Sequence, residues 1–157
     1  MFDKSYLLNP FLLQTASIDD LGKQIQLLAD QYIYDDHTPY DVVTNINIES
    51  DLLIIYGEII ARFQRDAELT KHEADILEAK TTYQLRKDWS SATNEKSPAI
   101  RYFEAQAEEL ATPLRTKQIE AETMLVRFKN QYKSVETKQN ALKKKLDSFK
   151  YEMVGEQ

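Results

Sequence analysis

The chain has 157 residues with three glycines, four prolines and no cysteine, and 42% of it is apolar against 29% charged. That length fits one domain, the composition fits a helix-rich protein, and the lack of cysteine excludes disulfides and thiolate chemistry. A net charge of −6 excludes a uniformly basic surface, but residues 1–126 hold 12 Lys/Arg against 22 Asp/Glu, whereas residues 127–150 hold eight against two. The basic segment fits either a polyanionic partner or an acidic region of the same or a neighbouring chain.

In chain order, the opening run "MFDKSYLLNPFLLQTASIDD" has too short an apolar core and too few basic residues for a secretory signal, and Pro10 interrupts it. No apolar run reaches the length of a membrane span, so a cytoplasmic protein that does not enter the membrane is expected. Residues 1–47 read as an acidic head, the least regular part, with Pro10, Pro39 and the turn-like run around Asp35, Asp36 and His37. Within it "SIDDLGKQIQLLADQYIY" predicts a short helix. Ser17 is its N-cap, Asp19 and Asp20 complement the positive helix start, and Ile18, Leu21, Ile25, Leu28 and Tyr32 share a face.

A first long helix is expected from near Asn47 or Ser50 to about Ser90. Its first half, "DLLIIYGEIIARF", is apolar most of the way round, as a helix covered by several neighbours must be. From Phe63 the seam continues through Ala67, Thr70, Ala74, Leu77, Thr81 and Gln84, small and weakly apolar. Such a helix needs a partner along its length.

The partner is the next segment. Ser97 and Pro98 form a helix start, because serine can cap and proline lacks only an amide hydrogen that the first turn does not use. The seam then reads Ile100, Phe103, Ala107, Leu110, Leu114, Lys117, Ala121, Leu125, Phe128, Tyr132, Val135, Gln139, Leu142, Leu146 and Phe149. Its spacings alternate three and four except for a double four at Lys117, Ala121 and Leu125, which has the form of a stutter. Pro113 is expected to kink this helix, or to divide it with Thr112 as a new cap. The fold class is therefore all-α. Residues 48–157 form a long antiparallel, coiled-coil-like hairpin with its tip at about 91–97, and the thin core of such a hairpin favours a homo-oligomer.

Signs of catalysis are sparse. His37 and His72 have no spacing that pairs them, Gly22, Gly57 and Gly155 are isolated, and no phosphate loop or metal-ligand pattern is present. The reading is a binding protein, not an enzyme, with no metal and no cofactor.

Two regions compete for the binding role. At the tip, Tyr83, Arg86, Lys87 and Trp89 precede the turn and Arg101, Tyr102 and Phe103 follow it. Bases stack on aromatic faces while Arg and Lys hold phosphates, which suits a single strand. Equally, Trp89 and Phe103 can lock the turn while the charges are merely solvated. Tyr83 and Arg86 share a face, with Lys87 on another flank. In the C-terminal segment, Lys143, Lys144 and Lys145 of "LKKKL" fit a polyanion, or lysines that cover the seam with their stems and pair with acids across it.

The run "LIIYGEIIARFQRDAELTKHEADILEAKTTYQLRKDWSS" resembles a segment of the UvsY-type recombination mediators of T-even and related phages. There a long helix ends in an Arg-x-Asp-aromatic-aromatic-Ser-like sequence before a short loop and a second helix. Here that ending is Arg86, Lys87, Asp88, Trp89, Ser90, Ser91, and the similarity spans roughly residues 50–150. The resemblance implies a homo-oligomeric accessory protein of DNA recombination and repair, placed in the host cytoplasm. It would bind single-stranded DNA and help a recombinase replace the single-strand-binding protein. It also implies a DNA-binding basic pair near the end of the first long helix. Arg86 matches one member; the other falls at Gln84, with Lys87 beside Arg86. The alternative is a phage structural or scaffolding coiled coil acting through protein contacts.

Overall fold

A computed structural model of the chain describes residues 10–92 and 96–155. Residues 1–9, which begin the run weighed above as a secretory signal, and residues 93–95 of the expected tip lie outside the described residues. Four helices follow in order: α1 Pro10–Thr15, α2 Ile18–Ala29, α3 Pro39–Ala92 and α4 Ile100–Gly155. The described residues contain no strand, and the two long helices pack against each other. No described helix is long and apolar enough to cross a membrane. The chain forms two compact units, one of Met1–Ala61 with Val126–Gln157 and one of Arg62–Leu125.

The first unit gathers α1, α2, the start of α3 and the end of α4. As expected, Ser17 caps α2: its Oγ accepts from the Asp20 amide at 3.0 Å. The same hydroxyl donates to Asp20 Oδ2 at 2.7 Å, and that bond, with Lys23, holds the Asp20 carboxyl below its ordinary range. Leu21 and Leu28 of α2 are buried, and so are Val42, Ile48, Leu52, Ile55 and Ile59 of α3, which together supply much of the core of this unit. In the stretch that is apolar most of the way round, Leu52, Ile55, Tyr56 and Ile59 are buried and Ile54 remains exposed.

Helix α3 begins earlier than expected, at Pro39 and not near Asn47 or Ser50. Thr38 Oγ1 accepts from the Asp41 amide at 3.2 Å, and Asp41 Oδ2 accepts from the Thr38 amide at 3.1 Å. This is a reciprocal cap with proline at the first helical position, where its missing amide hydrogen costs nothing. The added turns carry Asn45, which is fully buried. Its Oδ1 accepts from the Ile33 amide at 2.9 Å and its Nδ2 donates to the Ile33 carbonyl at 2.8 Å. One side chain thereby satisfies both backbone groups of a residue that belongs to no helix.

On α4 the buried Gln139 donates to Ser50 Oγ at 2.6 Å and accepts from Lys143 Nζ at 2.9 Å. A polar seam residue satisfied at only one axial offset fixes the register of the two helices. Lys145 Nζ closes the unit by donating to the Asp36 carbonyl at 2.7 Å and to Asp36 Oδ1 at 2.8 Å.

Glu49 of α3 is only 2% exposed, and its Oε2 has no hydrogen-bond partner. Burial pushes its carboxyl above the ordinary range, with the charge of Lys138 acting against the shift. A carboxyl raised by folding contributes most while protonated, and that contribution is lost as pH rises through its folded-state value. Glu49→Gln is therefore expected to stabilise the protein near neutral pH by about 1 kcal/mol, with little gain below the ordinary carboxylate range. Urea midpoints compared on both sides of that window check it, and an equal shift at acid and neutral pH contradicts it.

The second unit holds the end of α3, the start of α4 and the connection between them. Its buried apolar residues, among those described, are Phe103 and five alanines: Ala67, Ala74, Ala107, Ala111 and Ala121. Alanines bring two helices close together, and the register follows them. Leu110 is 61% exposed while its neighbour Ala111 is buried. Gln118 and Leu85 are half-buried where Lys117 and Gln84, both exposed, were expected. The α4 seam thus runs Phe103, Ala107, Ala111, Leu114, Gln118, Ala121, Leu125, and the double four falls at its beginning instead of at Lys117.

Pro113 does not divide α4, which is one helix throughout, and Thr112 donates to the Glu108 carbonyl at 3.1 Å instead of capping a new start. A proline is tolerated where the exposed side of a packed helix can spare one amide donor. Nearby, Arg115 ties the helices together. Its Nε and Nη2 donate to the two Glu78 carboxylate oxygens at 3.0 and 2.9 Å, and Nη2 also reaches Asp75 at 2.6 Å. These contacts raise the guanidinium pKa further. A planar fork on a carboxylate fixes both distance and orientation.

Candidate nucleic-acid interface

The tip of the hairpin belongs to the second unit. Helix α3 ends at Ala92 and α4 begins at Ile100, two residues beyond Pro98. Ser97 Oγ donates to the Pro98 carbonyl at 3.3 Å, so the expected serine cap is not formed. The first turn instead starts at Ala99, whose carbonyl accepts from the Tyr102 amide at 2.9 Å.

Around this end the structure separates the aromatic residues by role. Trp89 is half-buried and meets the ring of Phe103 edge-on, with centroids 6.4 Å apart and planes at 68°. Phe103 also takes an edge contact from Tyr102 at 5.6 Å. These contacts favour the packing reading for Trp89. Tyr83, in contrast, is 69% exposed.

Tyr83, Arg86, Lys87 and Ser90 of α3, together with Ser97, line one surface depression of about 470 Å³. Their spacing of three, four and seven accounts for this, since such positions form one helical stripe. Lys87 therefore shares the face of Tyr83 and Arg86, contrary to the flank expected for it. An exposed ring between two flexible cations can stack a base while both flanking phosphates are contacted. Gln84 and Asp88 are bonded to each other at 2.7 Å, away from that stripe. Arg101 and Tyr102 are exposed at the start of α4 but do not line the depression.

The other candidates lie in the first unit. Lys143 and Lys145 are held by Gln139 and Asp36 as described, and Lys144 is exposed between them. The three lysines are thus not equivalent: two complete internal contacts, as lysines beside a seam often do, and one presents its charge outward.

Acidic groups share the second unit with the basic stripe. Asp75, Glu78, Glu104 and Glu108 line a separate depression, and Arg115 neutralises the first two in part. No group of three or more potential metal ligands occurs among the described residues. Sequence reasoning missed Arg115, because it lies beside the seam and belongs to no motif, and only the helix phase brings it to Asp75 and Glu78. It also missed Glu49. The signal for Glu49 was present: an acid directly after Ile48 and four residues after Asn45, on the side of the helix that continues to Leu52 and Tyr56. The chain matches no family model, no curated protein and no solved structure.

Proposed function

We propose that the protein is a non-catalytic, homo-oligomeric recombination mediator that binds single-stranded DNA and assists a recombinase in displacing the single-strand-binding protein. The observation that carries the DNA contact is the stripe of Tyr83, Arg86, Lys87 and Ser90 around one exposed depression at the end of α3. Each copy offers few contacts, so affinity comes from several copies engaging one strand, where the second contact is made at high effective concentration. Support for self-association is the apolar surface left outside the alanine seam. Leu69 and Ile76 are exposed one heptad apart on α3, and Leu110 and Ile119 are exposed on α4. The recombinase and the single-strand-binding protein enter through the resemblance to the mediators, not through any surface feature.

Labelled oligo-dT titrated at increasing salt tests the DNA contact. The expected result is binding that weakens steeply with salt. In the Arg86→Ala, Lys87→Ala variant the affinity should fall at least about tenfold, and the log–log salt slope should flatten by about 1.4 per engaged copy, at ~0.7 per phosphate contact on a single strand. An intact oligomer that fails to bind at low salt overturns the reading.

The same exposed Leu69, Ile76, Leu110 and Ile119 favour the second reading, a scaffolding coiled coil whose partners are proteins. Self-association without strand binding selects it. A monomer by light scattering contradicts both.

A further inference from the structure

The first unit contains a cavity of about 390 Å³ whose wall includes Tyr32, Tyr34 and Tyr56, the buried Glu49, and Lys138. We propose that this cavity is a binding site for a small organic ammonium, with Glu49 as its counter-ion and the three tyrosines as its aromatic lining. The proposal is independent of the DNA reading, since none of these residues belongs to the tip.

Three observations converge on a cation. First, Glu49 lines the cavity at 2% exposure, and its Oε2 has no hydrogen-bond partner, so a buried carboxyl stands beside the cavity without a full set of donors. Such a group is costly unless something donates to it or neutralises it. Second, the surrounding rings are the type that attracts desolvated cations through their quadrupoles. Tyr32 and Tyr34 meet edge-on at 5.6 Å at the open side, where Tyr34 is 84% exposed, and the buried Tyr56 meets Phe128 at 6.2 Å on the inner side. Third, the size falls within the range of small-ligand pockets, and the lining is mostly apolar apart from one acid and one base, which is how such sites combine burial with orientation.

The titratable groups that line the cavity with Glu49 come from three segments, while α2 adds only Ile25 and Ala29. The segment after α2 supplies Tyr32 and Tyr34, α3 supplies Tyr56, and α4 supplies Lys138. The phenols of Tyr32 and Tyr56 are pushed up by burial first and by the Glu49 charge second, so both lie within its electrostatic reach. Lys138 is the protein's own competing cation. It is exposed, and no hydrogen bond or ion pair joins it to Glu49 among the described residues. An anion would meet Lys138 but would also be repelled by Glu49, and a neutral guest would leave the carboxylate unsatisfied. An ammonium with an apolar body satisfies the acid and the rings together.

Choline is the probe, with its neutral carbon isostere, in which a tert-butyl group replaces the trimethylammonium, as the control for size and shape. Calorimetry on the full chain should show choline binding and at least about tenfold weaker binding of the isostere, the loss expected when a desolvated charge contact is removed. Glu49→Gln should weaken choline to the level of the isostere, and Lys138→Met, which removes the competing charge, should tighten it. n-Butylamine distinguishes a quaternary from a primary ammonium guest, and binding of either supports the site. Equal binding of choline and its isostere, unchanged choline binding in a folded Glu49→Gln variant, or no binding of either amine would overturn the proposal.

Discussion

Phe103→Ala is expected to destabilise the protein by about 3–5 kcal/mol, the usual cost of emptying a buried phenylalanine site. Phe103 is 2% exposed and is the one large apolar side chain among the described buried residues of its unit, the rest being alanines. The buried alanines of the unit have no rotamers with which to fill the space. Two edge contacts, to Trp89 and Tyr102, are lost as well, and each aromatic pair is worth ~0.5–1.5 kcal/mol within that total. Trp89 is the only tryptophan, so its fluorescence reports this packing directly. The expected result is a lower urea midpoint with a red-shifted native emission, and Phe103→Leu should recover more than half of the loss. An unchanged midpoint and emission in Phe103→Ala would show that Trp89 and Phe103 do not hold the end of the hairpin.

The second large effect belongs to Asn45. Asn45→Ala leaves both the amide and the carbonyl of Ile33 without the partners they have at 2.9 and 2.8 Å. Stranding a partly buried backbone group costs ~1–3 kcal/mol, so a loss of about 2–4 kcal/mol is expected for the pair. Asn45→Asp keeps the acceptor but removes the donor and buries a charge against the Ile33 carbonyl, and it should be no better than alanine. Hydrogen exchange supplies the local check. The Ile33 amide should be protected in the parent and exchange freely in Asn45→Ala, and equal protection in the two proteins would remove Asn45 from this role.

Against a typical domain stability of ~5–15 kcal/mol, either substitution consumes a large share of what holds the fold. The two act in different units through different physics. Phe103 fills volume that alanines leave thin, whereas Asn45 satisfies polar groups that no helix satisfies. A protein built from long helices needs both devices, because its helices take care of their own backbone groups but neither their packing nor their connections.

The helices themselves were legible in the sequence, because a three-four apolar spacing sustained along most of the chain gathers onto one face only when the chain is helical. The Ser17 cap and its helix face were legible for the same reason. The start of α3 was not. The run from Thr38 to Asp41 carries a cap, a first-position proline and an acid at the third helical position, but it sits among tyrosines and acids that read as a turn. Register in the second unit was misread in one consistent direction. Choosing the larger apolar residue selects Leu110 over Ala111, yet a close helix pair buries the smaller one and leaves the larger outside. At the site, the residues Tyr83, Arg86 and Lys87 were legible by type. Their union on one depression required the helix phase, and the Glu49 cavity required knowing that Tyr32, Tyr34 and Tyr56 meet across distant segments.

The first unit is built from both ends of the sequence, with Met1–Ala61 and Val126–Gln157 enclosing a unit made of Arg62–Leu125. On a ribosome the apolar face of α3, with Ile48, Leu52, Ile55 and Ile59, therefore emerges well before the strip of α4 that covers it, since residues 62–125 must be made first. At roughly 5–20 residues per second that wait is about 3–13 s, long on the scale of helix formation and collapse. For that interval the nascent chain displays a sticky, half-finished head that depends on α2 for shelter. The early cap at Thr38 and the short-range bond from Asn45 to Ile33 are both available by then, so they can organise the head before its last helix arrives.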